Sequence, residues 1–119
     1  MPWNQDNELI PGRVSPKLFV PPQIEKPEYV GKAGPAKFTG SHVKTASQIE
    51  KIRAAGTIAA NAIRLVGERI IPGVSTDQLD QIAHEYIIRS GGYPSALGYR
   101  GFPKSICTSI NEVICHGIP

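Results

Sequence analysis

Apolar side chains recur at helical spacing through the middle of the chain. From residue 49 onward they follow one another at steps of three and four: Ile49, Ile52, Ala55, Ala59, Ile63, Val66 and Ile70. This period places them on one face of an α-helix. Thr45 and Gln48 have the spacing of a capping box, and Pro72-Gly73 supplies a stop signal. The pattern therefore predicts an amphipathic helix that begins after Thr45 and ends at Pro72-Gly73.

A second amphipathic helix is predicted directly after the first. Ser75 or Thr76 supplies the N-terminal cap, and Gly91-Gly92 closes the helix because glycine enters the left-handed conformation readily. Between these signals, the apolar positions follow the helical rule closely: Leu79, Ile82, Ala83, Tyr86 and Ile87. Two short helices of this kind cannot bury both apolar faces on each other alone. Both are therefore expected to pack on a sheet.

The side-chain period changes from helical to alternating near Lys104. Within residues 105–110, Ile106, Thr108 and Ile110 share one face. Asn111-Glu112 is expected to form a tight turn, after which residues 113–116 return along the first segment. The predicted result is an antiparallel hairpin with one more polar face. The fold class is therefore α/β (α+β), with two amphipathic helices on an antiparallel hairpin.

The first part of the chain is rich in proline and has no helical or strand period. Seven of the 11 prolines precede Gly40. Because proline fixes φ and removes a backbone donor, this part is expected to be extended. The chain thus divides into a Pro-rich extended arm or linker, residues 1–44, and a folded part, residues 45–119. An arm that lies on the domain or stays mobile is favoured over a polyproline ligand, since strict Pro-x-x-Pro spacing is lacking.

Composition narrows the class of protein. The net charge of +3 comes from scattered Lys and Arg residues, so no direct nucleic-acid site is evident. The sequence has no apolar stretch long enough to span a bilayer, and its start does not resemble an export signal. These features predict a cytoplasmic protein. Cys107 and Cys115 are then expected to be reduced thiols, although a disulfide is geometrically possible if they lie on adjacent strands.

Residue patterns alone give little evidence of metal chemistry. His84-Glu85 begins like the helix motif of zinc peptidases, but Ile88 stands where the second histidine is needed. We interpret His84-Glu85 as a solvated pair on the helix. Cys107, Cys115 and His116 could in principle bind zinc, but three ligands without Cys-x-x-Cys spacing make a weak case.

A loop broken by glycine and proline, residues 93–103, separates the second helix from the predicted hairpin. Beside a strand that carries a histidine, such a loop could form the wall of an apolar pocket. Alternatively, Tyr99 and Phe102 simply cap the core under the loop, which the pattern alone favours. His116 precedes Gly-Ile-Pro and could direct an imidazole into a cleft, but an ordinary strand-end histidine is the commoner case.

The stretch YRGFPKSICTSINEVICHGIP, residues 99–119, resembles type I methionine aminopeptidases almost residue for residue. The similarity extends back through residues 72–80 and 49–56 to about Thr45. Residues 26–32 are similar to the linker of family members that carry an N-terminal extension. The resemblance implies that residues 45–119 are the incomplete N-terminal half of a catalytic domain with the pita-bread fold.

The resemblance also implies an activity and a set of site residues. Members of this family remove the initiator methionine from nascent proteins by peptide hydrolysis that depends on two divalent metal ions. The catalytic residue that matches the family is His116, which would hydrogen-bond the substrate near the scissile amide. Tyr99, Phe102 and Cys107 match positions that line the methionine pocket. Ala96 stands where some members carry cysteine, and Phe102 where some carry tyrosine.

The family's metal ligands are two aspartates, a histidine and two glutamates, and all follow the Gly-Ile-Pro that ends this sequence. We therefore expect two divalent metal ions in the full-length enzyme, none bound by these residues, and no activity from the 119 residues alone. The expected partners are nascent polypeptide N-termini and, through the arm, the ribosome. The alternative is a non-catalytic half-fold, a binding module for nascent chains, ribosomes or a partner protein.

Overall fold

The computed structural model describes residues 3–119, which contain two α-helices and a short 3₁₀ turn. Helix α1 spans Ala46–Glu68, helix α2 spans Thr76–Arg89, and the 3₁₀ turn spans Tyr99–Gly101. The two α-helices lie against each other. Both predicted helices are therefore present, in the predicted order.

Capping boxes begin both helices, as the sequence predicts. In α1, the Thr45 hydroxyl accepts a hydrogen bond from the Gln48 amide at 3.2 Å, and the Gln48 side chain accepts one from the Thr45 amide at 2.9 Å. Ser75, rather than Thr76, caps α2 and exchanges the same two bonds with Gln78. Each reciprocal pair satisfies two backbone donors that the helix itself leaves free.

The ends of the helices follow the predictions less closely. Helix α1 ends at Glu68, well before Pro72-Gly73, so Ile70 lies outside the helix and is exposed. Helix α2 ends at Arg89, and Gly91 takes the left-handed conformation at φ 82°. Glycine thus ends α2 as expected, whereas α1 ends before the predicted stop signal at Pro72-Gly73.

The predicted antiparallel hairpin is wrong, since residues 3–119 contain no β-strand. The tight turn itself is present, with the Val113 amide donating to the Ile110 carbonyl at 3.1 Å and Asn111 at φ 53°. Farther from the turn, the Thr108 amide donates to the Gly117 carbonyl at 2.9 Å. His116, also at φ 53°, takes the backbone out of the extended region. An isolated pair of strands is marginal in water, and the residues described here supply no third strand.

The packing of α1 also differs from the prediction. No sheet covers its apolar face, and Ile49, Ile52 and Ile63 are 40%, 56% and 75% exposed. Among the residues of α1, Ala62 alone is buried. The expectation that both helices pack on a sheet is therefore wrong for the described part of the chain.

The core is formed in part by the N-terminal arm. Val20 and Ile24 pack with Leu97, and Ile88 of α2 and Tyr93 lie against this cluster. The arm therefore lies on the folded part at these positions, while the domain boundary after residue 44 stays a prediction. Among residues 3–119, the structure has no helix long and apolar enough to cross a membrane.

Candidate functional site

A cavity of about 640 Å³ opens between the loop after α2 and the C-terminal segment. Its walls bring together all four residues that the resemblance assigns to the substrate site, Tyr99, Phe102, Cys107 and His116. The complete lining is Ala96, Tyr99, Arg100, Gly101, Phe102, Pro103, Cys107, His116 and Ile118. Most of these side chains are apolar, so the cavity suits a hydrophobic group better than a charged one.

Tight turns hold the aromatic loop in place. The Gly98 amide donates to the Phe102 carbonyl at 2.8 Å, and the Phe102 amide donates to the Tyr99 carbonyl at 2.9 Å. Gly98 and Arg100 have positive φ values of 83° and 48°. The sharp reversal places Tyr99 and Phe102 in the wall of the cavity, outside the core cluster around Leu97.

The arm supports this loop from behind. The ring of Tyr29 meets that of Tyr99 edge to face, with centroids 5.1 Å apart and planes at 82°. The Tyr29 hydroxyl also donates to the Ser95 carbonyl. Edge-to-face pairs of this kind are favourable because the positive edge of one ring meets the negative face of the other. The arm thus helps to fix one side of the cavity.

The backbone next to His116 passes very close to the Thr108 backbone at Gly117, and this contact constrains the position of His116. A side chain at Gly117 would place its Cβ 1.9 Å from the Thr108 carbonyl oxygen, so only glycine fits there. The Gly117 amide donates to the Ser109 hydroxyl at 3.2 Å. His116 itself is exposed and has the left-handed φ that side chains rarely adopt. Such conformations often occur at functional sites, where the surrounding structure enforces them.

The two cysteines are free thiols, and both are exposed. Partial desolvation of the thiol in the cavity wall nevertheless raises the pKa of Cys107, and Cys115 and Asp80 raise it further. Its thiol is therefore protonated at neutral pH and acts as a small apolar group in the cavity wall.

An ion pair between a buried lysine and a partly exposed aspartate lies at the base of the segment that leads to Cys107. Lys104 is 1% exposed, and its ammonium donates to Asp77 at 2.5 Å and to Ser15 of the arm at 2.6 Å. The Ser15 hydroxyl also donates to Asp77. The hydrogen bond from Lys104, followed by that from Ser15, lowers the pKa of Asp77.

Asp80 holds the next two residues of the same segment. Its Oδ1 accepts hydrogen bonds from the backbone amides of Ser105 at 2.8 Å and Ile106 at 3.0 Å. The side chain is fully buried, and its Oδ2 has no hydrogen-bond partner among the described residues. Burial raises the pKa of Asp80, although the two amides oppose the shift. Helix α2 therefore fixes the backbone just before Cys107.

The prediction that His84 is a solvated side chain is wrong. The sequence suggested a solvated His84-Glu85 pair, but His84 is 5% exposed while Glu85 is exposed. His84 Nε2 lies 2.8 Å from the Phe19 carbonyl, and Nδ1 lies 2.7 Å from the Ser105 hydroxyl. A carbonyl can only accept, so Nε2 carries the proton and donates. The helical spacing of four residues to the apolar Ile88 was the one sequence signal that could have indicated burial.

The described residues do not fit a two-metal centre. In residues 3–119, no three or more His, Cys, Asp or Glu side chains are grouped so that they could hold a metal ion. The combination of Cys107, Cys115 and His116 does not form such a group either. The cavity can bind and orient an apolar group, and metal ions at this site would have to be held by other residues.

Residues 50–119 match metallopeptidase family M24. "Methionine aminopeptidase 2" of Mycobacterium tuberculosis is 57% identical over 111 residues, which are 93% of this chain and 39% of that protein. A chloroplastic/mitochondrial methionine aminopeptidase 1D of Arabidopsis thaliana is 50% identical over 112 residues, 93% of this chain and 32% of that protein. A mitochondrial methionine aminopeptidase 1D of Dictyostelium discoideum is 46% identical over 119 residues, 98% of this chain and 30% of that protein.

The chain therefore spans between 30% and 39% of the length of these relatives. The family match covers more than half of the chain, and the similarity to the relatives extends into the arm. The resemblance to the N-terminal portion of methionine aminopeptidases is confirmed, and the chain belongs to metallopeptidase family M24.

Proposed function

We propose that this chain acts as part of an enzyme that removes the N-terminal methionine from nascent proteins by metal-dependent peptide hydrolysis. The observation that carries the proposal is the cavity that collects Tyr99, Phe102, Cys107 and His116. The names of the relatives support the same activity. The two helices of the described residues fit the pita-bread fold that the family implies.

The chemistry of the cavity suits a methionine side chain. Phe102, Cys107 and Ile118 present apolar atoms, and the raised pKa of Cys107 moves its thiol still further from ionisation at neutral pH. A thioether is unbranched and polarizable, and its contact with an aromatic ring contributes about 0.3–1.5 kcal/mol. A lysine side chain would lose its hydration there without gaining an anionic partner, because the lining contains no carboxylate, and this favours methionine over lysine.

We assign His116 to the peptide bond next to that side chain. Its imidazole lies at the cavity wall and is exposed, so it can donate to a carbonyl oxygen or accept from an amide. A fixed donor at the reacting carbonyl stabilises negative charge that develops during attack. The close backbone crossing at Gly117 constrains the backbone next to the residue that carries the imidazole.

The proposed reaction also requires metal ions, which residues other than the described ones would bind. Two divalent ions would supply the activated water, and they would be held by residues other than those described here, because the described ones form no metal-binding group. The 119 residues alone are therefore proposed to be inactive. Contact of the arm with the ribosome and a cytoplasmic location both stay predictions.

The alternative, a non-catalytic binding module, also stays a hypothesis. The observation in its favour is the exposed apolar face of α1, on which Ile52 and Ile63 are 56% and 75% exposed. Exposed apolar surface of this kind marks a place where another polypeptide packs. A module of this kind would bind without the help of metal ions and would gain no activity when joined to a metal-binding partner.

A chimera tests the proposed function directly. Residues 1–119 replace the matching part of the Mycobacterium tuberculosis relative, whose remaining part is retained. We expect metal-dependent release of methionine from a Met-Ala-Ser peptide by the chimera and none by the 119 residues alone. Removal of a transition-state hydrogen-bond donor costs about 10²–10³ in kcat, so His116→Ala should lower kcat in the chimera by that amount.

The matched control is His42→Ala, because His42 is an exposed arm histidine outside the cavity. This substitution should leave kcat unchanged. A folded chimera without activity would contradict the proposed enzyme and favour the binding module. Methionine release by the isolated 119 residues would contradict the placement of the metal ions.

A further inference from the structure

A second cavity, of about 420 Å³, adjoins the first one at His116. One side is formed by arm residues 9–12 and the other by residues between Thr108 and Ile118. His116 and Ile118 line both cavities, so the two lie on either side of these residues. We call the second cavity the arm groove.

The start of the arm is folded against itself before it reaches the groove. The Asn4 side-chain oxygen accepts hydrogen bonds from the amides of Asp6 at 3.0 Å and Glu8 at 2.8 Å. The Asn4 amide donates to the Glu8 carbonyl at 2.9 Å, and Trp3 forms a β-bridge with Leu9. This closed turn directs the chain into the wall of the groove at Leu9.

The arm is also fastened beyond the groove. Ser15 bonds to Lys104 and Asp77, and the Phe19 carbonyl accepts from His84. Residues 9–12 therefore run between a closed turn on one side and buried anchors on the other. A segment held at both ends can serve as a wall for a ligand without a large loss of its own conformational entropy on binding.

The chemistry of the groove fits an extended polypeptide. Leu9 and Ile10 are 36% and 44% exposed and present apolar surface on one side. The opposite side offers Val113 together with the carboxylate of Glu112. Apolar contacts suit peptide side chains, while a carboxylate can accept hydrogen bonds from peptide amides.

We infer that the arm groove binds the residues that follow the N-terminal methionine of a polypeptide substrate. This inference rests on the proposed function, because His116 would then stand beside the bond between the first and second residues. The methionine side chain would enter the first cavity, and the rest of the polypeptide would leave past His116 along Leu9 and Ile10. The arm would thus help to determine which polypeptide sequences bind at the site that holds the N-terminal methionine.

NMR on the full 119-residue chain, with labelled Ile and Leu methyl groups, tests the inference without catalysis. Methioninamide should shift the methyl signal of Ile118 and leave Leu9 and Ile10 unchanged. The longer Met-Ala-Ser-amide should shift all three. Ile63, which is 75% exposed on α1, should not respond to either ligand.

Two results would overturn the inference in different ways. If Met-Ala-Ser-amide shifts Ile118 but not Leu9 or Ile10, the arm groove does not bind the polypeptide and the proposed function stands. If neither ligand shifts Ile118, the methionine pocket is wrong and the arm groove is lost with it.

Variants of the arm give a second, quantitative readout. The double variant Leu9→Ala/Ile10→Ala should weaken binding of Met-Ala-Ser-amide about threefold, because two half-exposed contacts are lost, and leave methioninamide affinity unchanged. Val14→Ala is the control, since Val14 is an arm residue that is 38% exposed and outside the groove lining. An equal loss for both ligands would show a purely structural role and overturn the inference.

Discussion

The two helices have the same kind of sequence pattern but very different surroundings. Leu79 and Ala83 on the apolar face of α2 are 7% and 1% exposed, whereas Ile52 and Ile63 on the corresponding face of α1 are 56% and 75% exposed. Both helices begin with a complete capping box. The period and the caps therefore determine that a helix forms and which face is apolar, but not whether that face is covered.

Distant parts of the chain account for the difference. Helix α2 is covered by the arm and by the segment after Pro103, through bonds to Asp77, Asp80 and His84. Among residues 3–119, α1 has no comparable set of buried polar contacts, and its side-chain bonds are local. Stability should therefore be concentrated around α2.

The largest expected effect is the loss of stability when an apolar side chain of α2 is truncated. The same truncation on α1 should have almost no effect. Leu79→Ala should lower the free energy of unfolding by about 3 kcal/mol, because a buried leucine leaves a cavity. Ile63→Ala should change it by less than about 0.5 kcal/mol, since the side chain is exposed. Urea unfolding followed by circular dichroism measures both. Equal losses for the two variants would show that α1 is covered as well as α2.

An intermediate effect is expected at Asp80. Asp80→Ala leaves the amides of Ser105 and Ile106 buried without an acceptor and should cost about 2 kcal/mol. Asp80→Asn keeps an acceptor oxygen for both amides and should cost less. Thermal unfolding compares the two variants. If asparagine were as damaging as alanine, the charge of Asp80 rather than its two hydrogen bonds would be the important property.

The smallest expected effect concerns the arm. Ser15→Ala removes the hydroxyl that bonds to Lys104 and Asp77 and should cost about 1 kcal/mol. Hydrogen exchange at residues 17–20 should become faster, because the neighbouring anchor is lost. Ser41→Ala is the control, since the Ser41 hydroxyl makes only a local, exposed bond to the Val43 amide. Unchanged exchange in the Ser15 variant would mean that the bond from His84 and the packing of Val20 and Ile24 hold this part of the arm without Ser15.

The sequence predicts the local features of this fold well. The helix starts follow from hydroxyl and amide side chains three residues apart, and these interactions lie within single turns. The site residues are predicted by resemblance, and the structure brings Tyr99, Phe102, Cys107 and His116 to one cavity. Their roles in binding methionine and in catalysis stay predictions.

Contacts between distant residues could not be predicted from one sequence. Lys104 and His84 look like solvated side chains because charged and polar residues usually lie on the surface. Their partners Ser15 and Phe19 are 89 and 65 residues away. The hairpin failed for a related reason, since alternation indicates extended backbone but does not supply the neighbours that a strand needs.

The long separation between Ser15 and Lys104 has a consequence for synthesis. A ribosome adds about 5–20 residues per second, so the 89 residues between these partners take about 4–18 s to make. During that interval the arm has been translated while its lysine partner does not yet exist. A chaperone or another early-binding factor would therefore meet the arm in its undocked form on every newly made copy of the chain.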